Sequence, residues 1–312
     1  MLIGNLLIGT IAGSLAYVCK VIYDSNRTEL DPVIEVDNIV KYKYLPIEEC
    51  ESEKIDLNKI KYTFTEGEKE GLKVCIGYNM NKEKEIIDIL DGHILIGGMT
   101  GGGKSNLLNV IITSLMKTYT EREVFFLGWD GAESDIYYFR KYKNFKKVRT
   151  DNKGFLDIVE FLDNKMKERS KILDECNCRN VINYNKKYDK KMSYIIVIVD
   201  ELVQLSVDSK CKTELHRIMS KCRKYGIYFI LGGQDATKDT IGKCKMNCPQ
   251  VIGFKTFDET DSNTLMGKNQ DLQDITVTGR CKVKNKNGIR EVQIMYIDED
   301  EMDEMLKPYL RN

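Results

Sequence analysis

The sequence predicts an α/β protein built on a mainly parallel β-sheet. From Leu72 onward, short apolar runs of strand length alternate with amphipathic segments of helical length, which is the pattern of strands joined by helical crossovers. One strand-to-helix junction also carries the glycine-rich segment 98–105 (GMTGGGKS), a phosphate-binding signature. The 312 residues, 42% hydrophobic and 31% charged, have the composition of a folded protein.

The strand and helix candidates follow one another in the order that a parallel sheet requires. The predicted strands are residues 93–97, 124–127, 194–199, 227–231 and 251–254, and the predicted helices are residues 105–117, 154–173 and 212–224. This alternation favours right-handed crossovers and a RecA-like sheet. Residues 280–284 and 290–296 flank the segment 285–288 (NKNG) and predict a β-hairpin with an Asn-Gly turn.

The first 23 residues differ from the rest in composition. Residues 1–19 contain no charged side chain, and a helix of that length would be roughly 28 Å long, close to the thickness of a bilayer's hydrocarbon core. We therefore expect residues 1–23 to be a single-pass membrane anchor, with a cleaved signal peptide or a buried core helix as the alternatives. Lys20 and Arg27 follow the span, so the positive-inside rule places the rest of the chain in the cytoplasm.

The remaining chain divides into two regions. Residues 24–70 are rich in Asp, Glu and Lys and lack a long apolar period, so we expect a linker or small subdomain there. Residues 71–312 carry the alternating strand and helix pattern and form the predicted α/β domain. The 48 basic and 48 acidic side chains balance, so any nucleic-acid contact must be local. The basic clusters 141–149 (KYKNFKKVR) and 186–191 (KKYDKK) are candidates for it, or are merely solvated loops.

The cysteines do not indicate a disulfide framework or a metal site. Ten are scattered along the chain, and only His93 and His216 could supply imidazole ligands. A tetrahedral zinc site normally shows closely spaced ligands. We interpret the cysteines as free thiols.

The glycine-rich segment lies between a predicted strand and a predicted helix, as the P-loop pattern requires. Main-chain N–H groups of such a loop surround phosphates, and the helix N-terminus adds partial positive charge. Lys104 would bridge the β- and γ-phosphates of ATP, and Ser105 would ligate Mg²⁺. The alternative is a glycine-rich turn without a chemical role. The expected nucleotide-binding residues are Gly98, Met99, Thr100, Gly101, Gly102, Gly103, Lys104, Ser105 and Asn106.

Two acids follow the most apolar strand candidate, residues 194–199 (YIIVIV). Asp200 is expected to complete the Mg²⁺ shell, and Glu201 to polarise the water that attacks the γ-phosphate. The alternative for Asp200 is a helix N-cap. After the next strand candidate, Gln234 is expected to touch the γ-phosphate or the attacking water, with a surface glutamine in a turn as its alternative.

Together with these motifs, a longer ordered series resembles the FtsK/SpoIIIE family of DNA-translocating ATPases from about Leu72 to the C-terminus. The matching segments are 92–98 (GHILIGG), 131–133 (GAE), 166–169 (MKER), 179–185 (RNVINYN), 199–202 (VDEL), 223–227 (RKYGI), 261–264 (DSNT) and 279–280 (GR). The resemblance implies a Mg²⁺-dependent ATP hydrolase that moves double-stranded DNA as a hexameric ring, with contacts to the phosphate backbone.

The sequence departs from the family pattern at two places. Residues 128–130 (GWD) stand where the family has Asp-Pro-Lys, and residues 233–236 (GQDA) where it has Thr-Gln-Arg-Pro, so two cations are absent. The family completes each site with an arginine from the neighbouring subunit. Arg223 is the first candidate for that role and Arg280 the second, the alternative for each being a solvated or salt-bridged arginine.

We expect neither the family's C-terminal winged-helix module nor a multi-pass membrane region. We therefore expect a compact, membrane-anchored motor of the bacterial cell membrane that moves mobile-element DNA through a conjugation apparatus. The alternatives are the ATPase of a protein-secretion machine, a chromosome-partitioning translocase and a non-catalytic, nucleotide-switched membrane scaffold.

Overall fold

The computed structural model describes residues 61–62, 71–234 and 244–311. The chain divides into the units 1–56 and 57–312, and every described residue belongs to the second. The expected membrane anchor and nearly all of the expected linker lie outside the described residues. Within the described part of the chain, no helix is long and apolar enough to cross a membrane.

A ten-stranded mixed sheet organises the described residues. Its order is β2-β1-β10-β9-β8-β3-β7-β6-β4-β5. The strands from β8 to β5 are parallel, and β9, β10, β1 and β2 extend the sheet in antiparallel fashion. The strands are β1 (Lys73–Asn79), β2 (Lys84–Asp88), β3 (Ile94–Gly97), β4 (Val124–Trp129), β5 (Phe145–Arg149), β6 (Tyr194–Val199), β7 (Ile227–Gly233), β8 (Gln250–Gly253), β9 (Arg280–Asn285) and β10 (Gly288–Ile294).

Helices pack on both faces of the sheet. Buried side chains of α1 and α8 share one apolar cluster with alternate residues of the strands, and those of α3, α5 and α6 share the other. In β6, Ile196 and Ile198 enter the first cluster, and Ile195, Val197 and Val199 enter the second. The helices are α1 (Lys104–Thr118), α2 (Asp135–Tyr138), α3 (Asn152–Glu175), α4 (Val181–Lys187), α5 (Leu202–Val207), α6 (Ser209–Met219), α7 (Glu259–Met266) and α8 (Glu299–Leu306).

The predicted strands and the hairpin are confirmed, with boundaries shifted by one or two residues. The third predicted helix was placed too late: α6 begins after Asp208, whose carboxylate accepts from the N–H groups of Lys210 and Cys211, and ends at Met219. In the hairpin turn, the left-handed conformation falls on Gly288, with φ of 103°, rather than on the preceding asparagine. Strands β1, β2 and β5 were not predicted.

Two segments of the family resemblance, 166–169 and 179–185, are explained by the fold. Arg169 on α3 is 5% exposed and donates to the main-chain oxygen of Ser193 at 2.7 Å and to that of Tyr225, so it joins α3 to the starts of β6 and β7. Asn180 caps α4, and Asn185 holds both the N–H and the carbonyl of Met192. These side chains position the strand that ends at Asp200.

Most basic side chains of the cluster 141–149 pair with acids of the same protein. Lys147 and Arg149 both pair with Asp157 of α3, at 2.9 and 2.8 Å. Lys146 pairs with Glu121 at 3.5 Å. Residues 145–149 form the edge strand β5 rather than a loop. This cluster is therefore a poor candidate for contacts with DNA phosphates.

His93 is a structural histidine. It is fully buried, its Nδ1 accepts from the N–H of Phe229 at 3.0 Å, and its Nε2 lies 3.0 Å from the carbonyl of Met219. This network assigns the proton to Nε2 and leaves no acceptor for a second one. Burial lowers the pKa of His93 to about 4, against the opposing effect of the Met219 carbonyl.

We predict that His93 makes folding pH-dependent. Because its folded-state pKa is lowered from 6.5 to about 4, the unfolded chain binds the proton first as pH falls. Stability should therefore drop by on the order of 3 kcal/mol between pH 6.5 and 4 from this group. Urea unfolding across this range should show a shallower pH slope for His93→Gln than for wild type. His216→Gln is the control and should keep the wild-type slope; equal slopes for all three proteins would contradict the prediction.

Candidate functional site

The loop 98–103 joins β3 to α1 and lies against the ends of both neighbouring strands. The N–H of Gly98 donates to the Gly233 carbonyl of β7 at 3.3 Å, and the N–H of Met99 donates to the carbonyl of Lys255, just after β8, at 2.7 Å. Since β3 lies between β7 and β8, the loop is held from both sides. It therefore sits at the carboxyl edge of the parallel sheet, where ligands of α/β proteins bind.

Glycine is required at two loop positions by close packing and by conformation. Gly98 and Gly103 have φ of 139° and 116°. A Cβ atom at Gly98 would lie 2.7 Å from Cβ of Phe254, and one at Gly103 would lie 3.0 Å from Cα of Gly279. The loop thus depends on the absence of side chains, so phosphate oxygens can approach its main chain closely.

Lys104 begins α1 and its side chain curls over the loop. Its Nζ donates to the carbonyls of Gly98 and Met99 at 2.5 and 3.1 Å. Burial lowers the pKa of Lys104, while the negative charges of Glu201 and Asp200 act in the opposite direction. The ammonium group is therefore close to the acids that follow β6 and is held where a phosphate chain would be cradled.

Asp200 lies at the carboxyl end of β6 among other acids. Burial, and next the charges of Asp135, Asp130 and Glu201, raise the pKa of Asp200 to about 7. The hydroxyl of Ser134 is its hydrogen-bond donor, at 3.4 Å. A carboxylate among like charges is stabilised when a cation arrives, which is the electrostatic setting expected of a metal ligand.

The donor set fits Mg²⁺ bound together with a nucleotide. Within the described ranges, no cluster of three or more His, Cys, Asp or Glu residues could hold a metal alone. Mg²⁺ commonly takes one or two protein oxygens and completes its shell with phosphates and water. The hydroxyl of Ser105 and the carboxylate of Asp200 provide oxygens of that kind.

Glu201 is 8% exposed and is held by two main-chain N–H groups. It caps α5 by accepting from Val203 at 3.2 Å, and its two oxygens lie 3.4 and 3.3 Å from the N–H of Gln234. The helix N-cap, which was the alternative role for Asp200, is therefore provided by Glu201.

Gln234 joins the two motifs. It directly follows β7, and its side-chain Oε1 accepts from the Thr100 hydroxyl at 2.8 Å. Its N–H faces Glu201, as described above. The fold thus brings together Thr100, Lys104, Asp200, Glu201 and Gln234, residues that the sequence had placed at three separate strand ends.

Asp130 explains one departure from the family pattern. It is fully buried and accepts from the N–H groups of Ile136 and Tyr137, each at 3.0 Å. It thereby caps the short helix α2 and positions Ser134 and Asp135 beside Asp200. Sequence reasoning missed these two residues; the available signal was the polar segment that follows the strand β4.

Asn106 uses its side chain within the protein. Its Nδ2 donates to the carbonyl of Met295 at 2.6 Å, and its Oδ1 accepts from the N–H of Ile297 at 2.9 Å. These bonds fasten the start of α1 to the segment after β10. The Asn106 side chain thus has a structural role, and its main-chain N–H is the group expected to contact nucleotide.

The two candidate arginines lie in different places. Arg223 is exposed in a turn just before β7, at the opposite edge of the sheet from the loop, so it is not brought to the site of its own subunit. Arg280 has a side chain only 12% exposed and pairs with Glu291 at 2.8 Å. The salt-bridged alternative therefore describes Arg280.

Comparisons with known proteins agree with this architecture. Residues 58–237 match the model of the FtsK/SpoIIIE family. The DNA translocase FtsK of Chlorobaculum tepidum is 30% identical over 213 residues, which cover 62% of this chain and 26% of that protein. The FtsK of Leptospira interrogans is 28% identical over 254 residues, which cover 77% and 27%. The chain thus spans about a quarter of the length of these curated relatives.

Solved structures are also similar. The pCW3 conjugation coupling protein TcpA, in its monomer form with ATPγS, is 25% identical with a TM-score of 0.68, and the match covers 80% of this chain and 73% of that one. EssC (ATPases 2 and 3) from Geobacillus thermodenitrificans has a TM-score of 0.71 at 19% identity, covering 80% and 51%. At that identity, the EssC likeness concerns the fold.

The site predicts different defects for two substitutions. Glu201→Gln keeps an oxygen for the α5 cap but removes the base, so nucleotide should still bind while phosphate release falls by about a hundredfold or more. Lys104→Ala should instead weaken binding of a fluorescent ATP analogue by at least roughly tenfold. Lys117→Ala, at the far end of α1, is the control. Unchanged phosphate release in Glu201→Gln would remove the catalytic role assigned to it.

Proposed function

The chain belongs to the FtsK/SpoIIIE family, and we propose that it is an ATP-driven motor that translocates double-stranded DNA at the bacterial cell membrane. It is a P-loop ATPase, as its family and its structural neighbours indicate. The observation that carries the proposal is the convergence of Lys104, Glu201 and Gln234 at one edge of the sheet, in a chain whose relatives are DNA translocases.

Each residue has a distinct task in the proposed hydrolysis. Lys104 would exchange the loop carbonyls for the β- and γ-phosphate oxygens, which are stronger acceptors because they are charged. Glu201 would accept the proton of the attacking water, and Gln234 would donate from its amide to the γ-phosphate or that water. Ser105 and Asp200 would hold Mg²⁺, which when bound neutralises negative charge on the phosphates.

The DNA contact is proposed to be local and directed at phosphates. In the cluster 186–191, Lys187 is fully exposed beside the Tyr188 ring, and Lys191 donates to the Asn185 carbonyl. Neither of these bonds neutralises the lysine charge, unlike the acid pairs of the cluster 141–149. Residues 186–191 are therefore the better candidate for a backbone contact, which suits a motor that must not stall at particular sequences.

The finer parts of the proposal concern assembly, location and cargo. Assembly into an oligomer is proposed because Arg223 lies exposed and remote from its own loop, where it is available to another subunit. A hexameric ring is the form of oligomer that the family resemblance implies. Anchoring through residues 1–23 is supported by their apolar sequence. Movement of mobile-element DNA through a conjugation apparatus is supported by the likeness to the coupling protein TcpA, which covers most of both chains. A protein-secretion motor is the alternative that the following assay separates.

ATP hydrolysis should be stimulated by duplex DNA, and the stimulation should fall steeply with salt because phosphate contacts release counterions. About six such contacts would reduce DNA affinity by roughly 10³ between 50 and 200 mM salt. The measurement is phosphate release by the full chain across this range, with and without DNA. Indifference to DNA together with stimulation by a polypeptide would favour the secretion alternative.

Arg223 should act between subunits. Arg223→Ala and Lys104→Ala chains should each be nearly inactive, but a mixture should regain activity, because one chain supplies an intact loop and the other an intact arginine. Steady-state ATP hydrolysis at increasing mixing ratios is the measurement. A mixture no more active than its components would contradict action in trans. Arg140→Ala removes another exposed arginine and, as the control, should keep wild-type activity.

A further inference from the structure

The hydrogen bond between Thr100 and Gln234 links the phosphate loop to the strand beside it. The hydroxyl of Thr100 donates to Oε1 of Gln234 at 2.8 Å, across 134 positions of sequence. We propose that Thr100 is a positioning residue for ATP hydrolysis: its hydroxyl orients the Gln234 amide so that the amide nitrogen faces the γ-phosphate and the attacking water.

The two ends of a glutamine amide have opposite effects at a phosphate. The nitrogen donates hydrogen bonds, whereas the oxygen only accepts them and so opposes a phosphate oxygen. Rotation of the terminal amide exchanges the two ends, and this torsion is broad rather than confined to one well. In the structure the Thr100 hydroxyl engages Oε1, and this arrangement directs Nε2 away from Thr100.

The main chain of Gln234 is already fixed, so the side-chain rotamer is the freedom that remains. Its N–H lies 3.3 Å from Oε2 of Glu201, and the preceding Gly233 carbonyl accepts from the N–H of Gly98. Both Thr100 and Gln234 are exposed on the site surface, where an unrestrained glutamine would sample several rotamers. The Thr100 hydroxyl restricts them before hydrolysis, which reduces the reorganisation needed in the transition state.

This inference rests on the ATPase activity of the proposed function and not on its DNA substrate. The experiment measures kcat and KM for ATP hydrolysis by the full chain, with and without duplex DNA, for wild type and variants. Thr100→Val keeps the side-chain shape but removes the hydroxyl, and should lower kcat about 3- to 10-fold at unchanged KM. Thr100→Ser should restore near-wild-type kcat.

A double-mutant cycle separates positioning from a general effect on the loop. If Thr100 acts through Gln234, Thr100→Val should add nothing to Gln234→Ala, and the double variant should match the single glutamine variant. Thr118→Val is the matched control, because its hydroxyl also makes one hydrogen bond, to the Ser114 carbonyl at 2.8 Å, at the far end of α1. It should keep wild-type kcat and KM.

Several outcomes would overturn the inference. These are a raised KM with intact kcat in Thr100→Val, additive losses in the double variant, an equal loss in Thr118→Val, or no hydrolysis by wild type in either condition. Equal wild-type rates with and without DNA would instead count against DNA as substrate, while the Thr100 comparison would still be decided by the basal rates.

Discussion

The site depends on how closely the main chain of residues 98–103 approaches the ends of β7 and β8. Gly98 lies against Phe254, and Gly103 lies against Gly279, at distances that leave no space for a Cβ atom. This packing fixes the loop's N–H groups in place before any ligand arrives, so little ordering remains to oppose phosphate binding. The same contacts hold Thr100 beside Gln234. Because the N–H of Gln234 faces Glu201, this glutamine links the loop to the acid that follows β6.

Negative charge is the second constraint on the site, because Asp130, Asp135, Asp200 and Glu201 lie near the carboxyl end of β6. Their mutual repulsion is limited in different ways: Asp130 receives main-chain N–H groups of α2, and Glu201 receives those of Val203 and Gln234. Asp200 lacks comparable main-chain support in the described structure, and its pKa is raised to about 7. The fold therefore satisfies Asp130 and Glu201 with main-chain donors, and Asp200 gains from a cation what it lacks in such donors.

The sequence predicted those elements whose pattern reflects burial on both faces. The apolar runs of β3, β4, β6, β7 and β8 follow from helices covering the parallel sheet on both sides. Strand β5 was missed because its charged residues pair with Asp157 and Glu121 at a sheet edge, which no apolar pattern reveals. The motifs located Lys104, Glu201 and Gln234, but the Thr100 bond could not be predicted because strand order, rather than sequence spacing, creates it.

Charge around the loop also bears on assembly. Two positions where the family carries cations hold Asp130 and Asp235 in this chain. Asp130 is committed to capping α2, and Arg280 is committed to Glu291. Within its own subunit, the negative charge that develops on a departing γ-phosphoryl group would then face Lys104 and any Mg²⁺ held by Ser105 and Asp200. Because exposed Arg223 lies at the opposite edge of the sheet, we infer that any arginine completing this charge balance comes from a neighbouring copy.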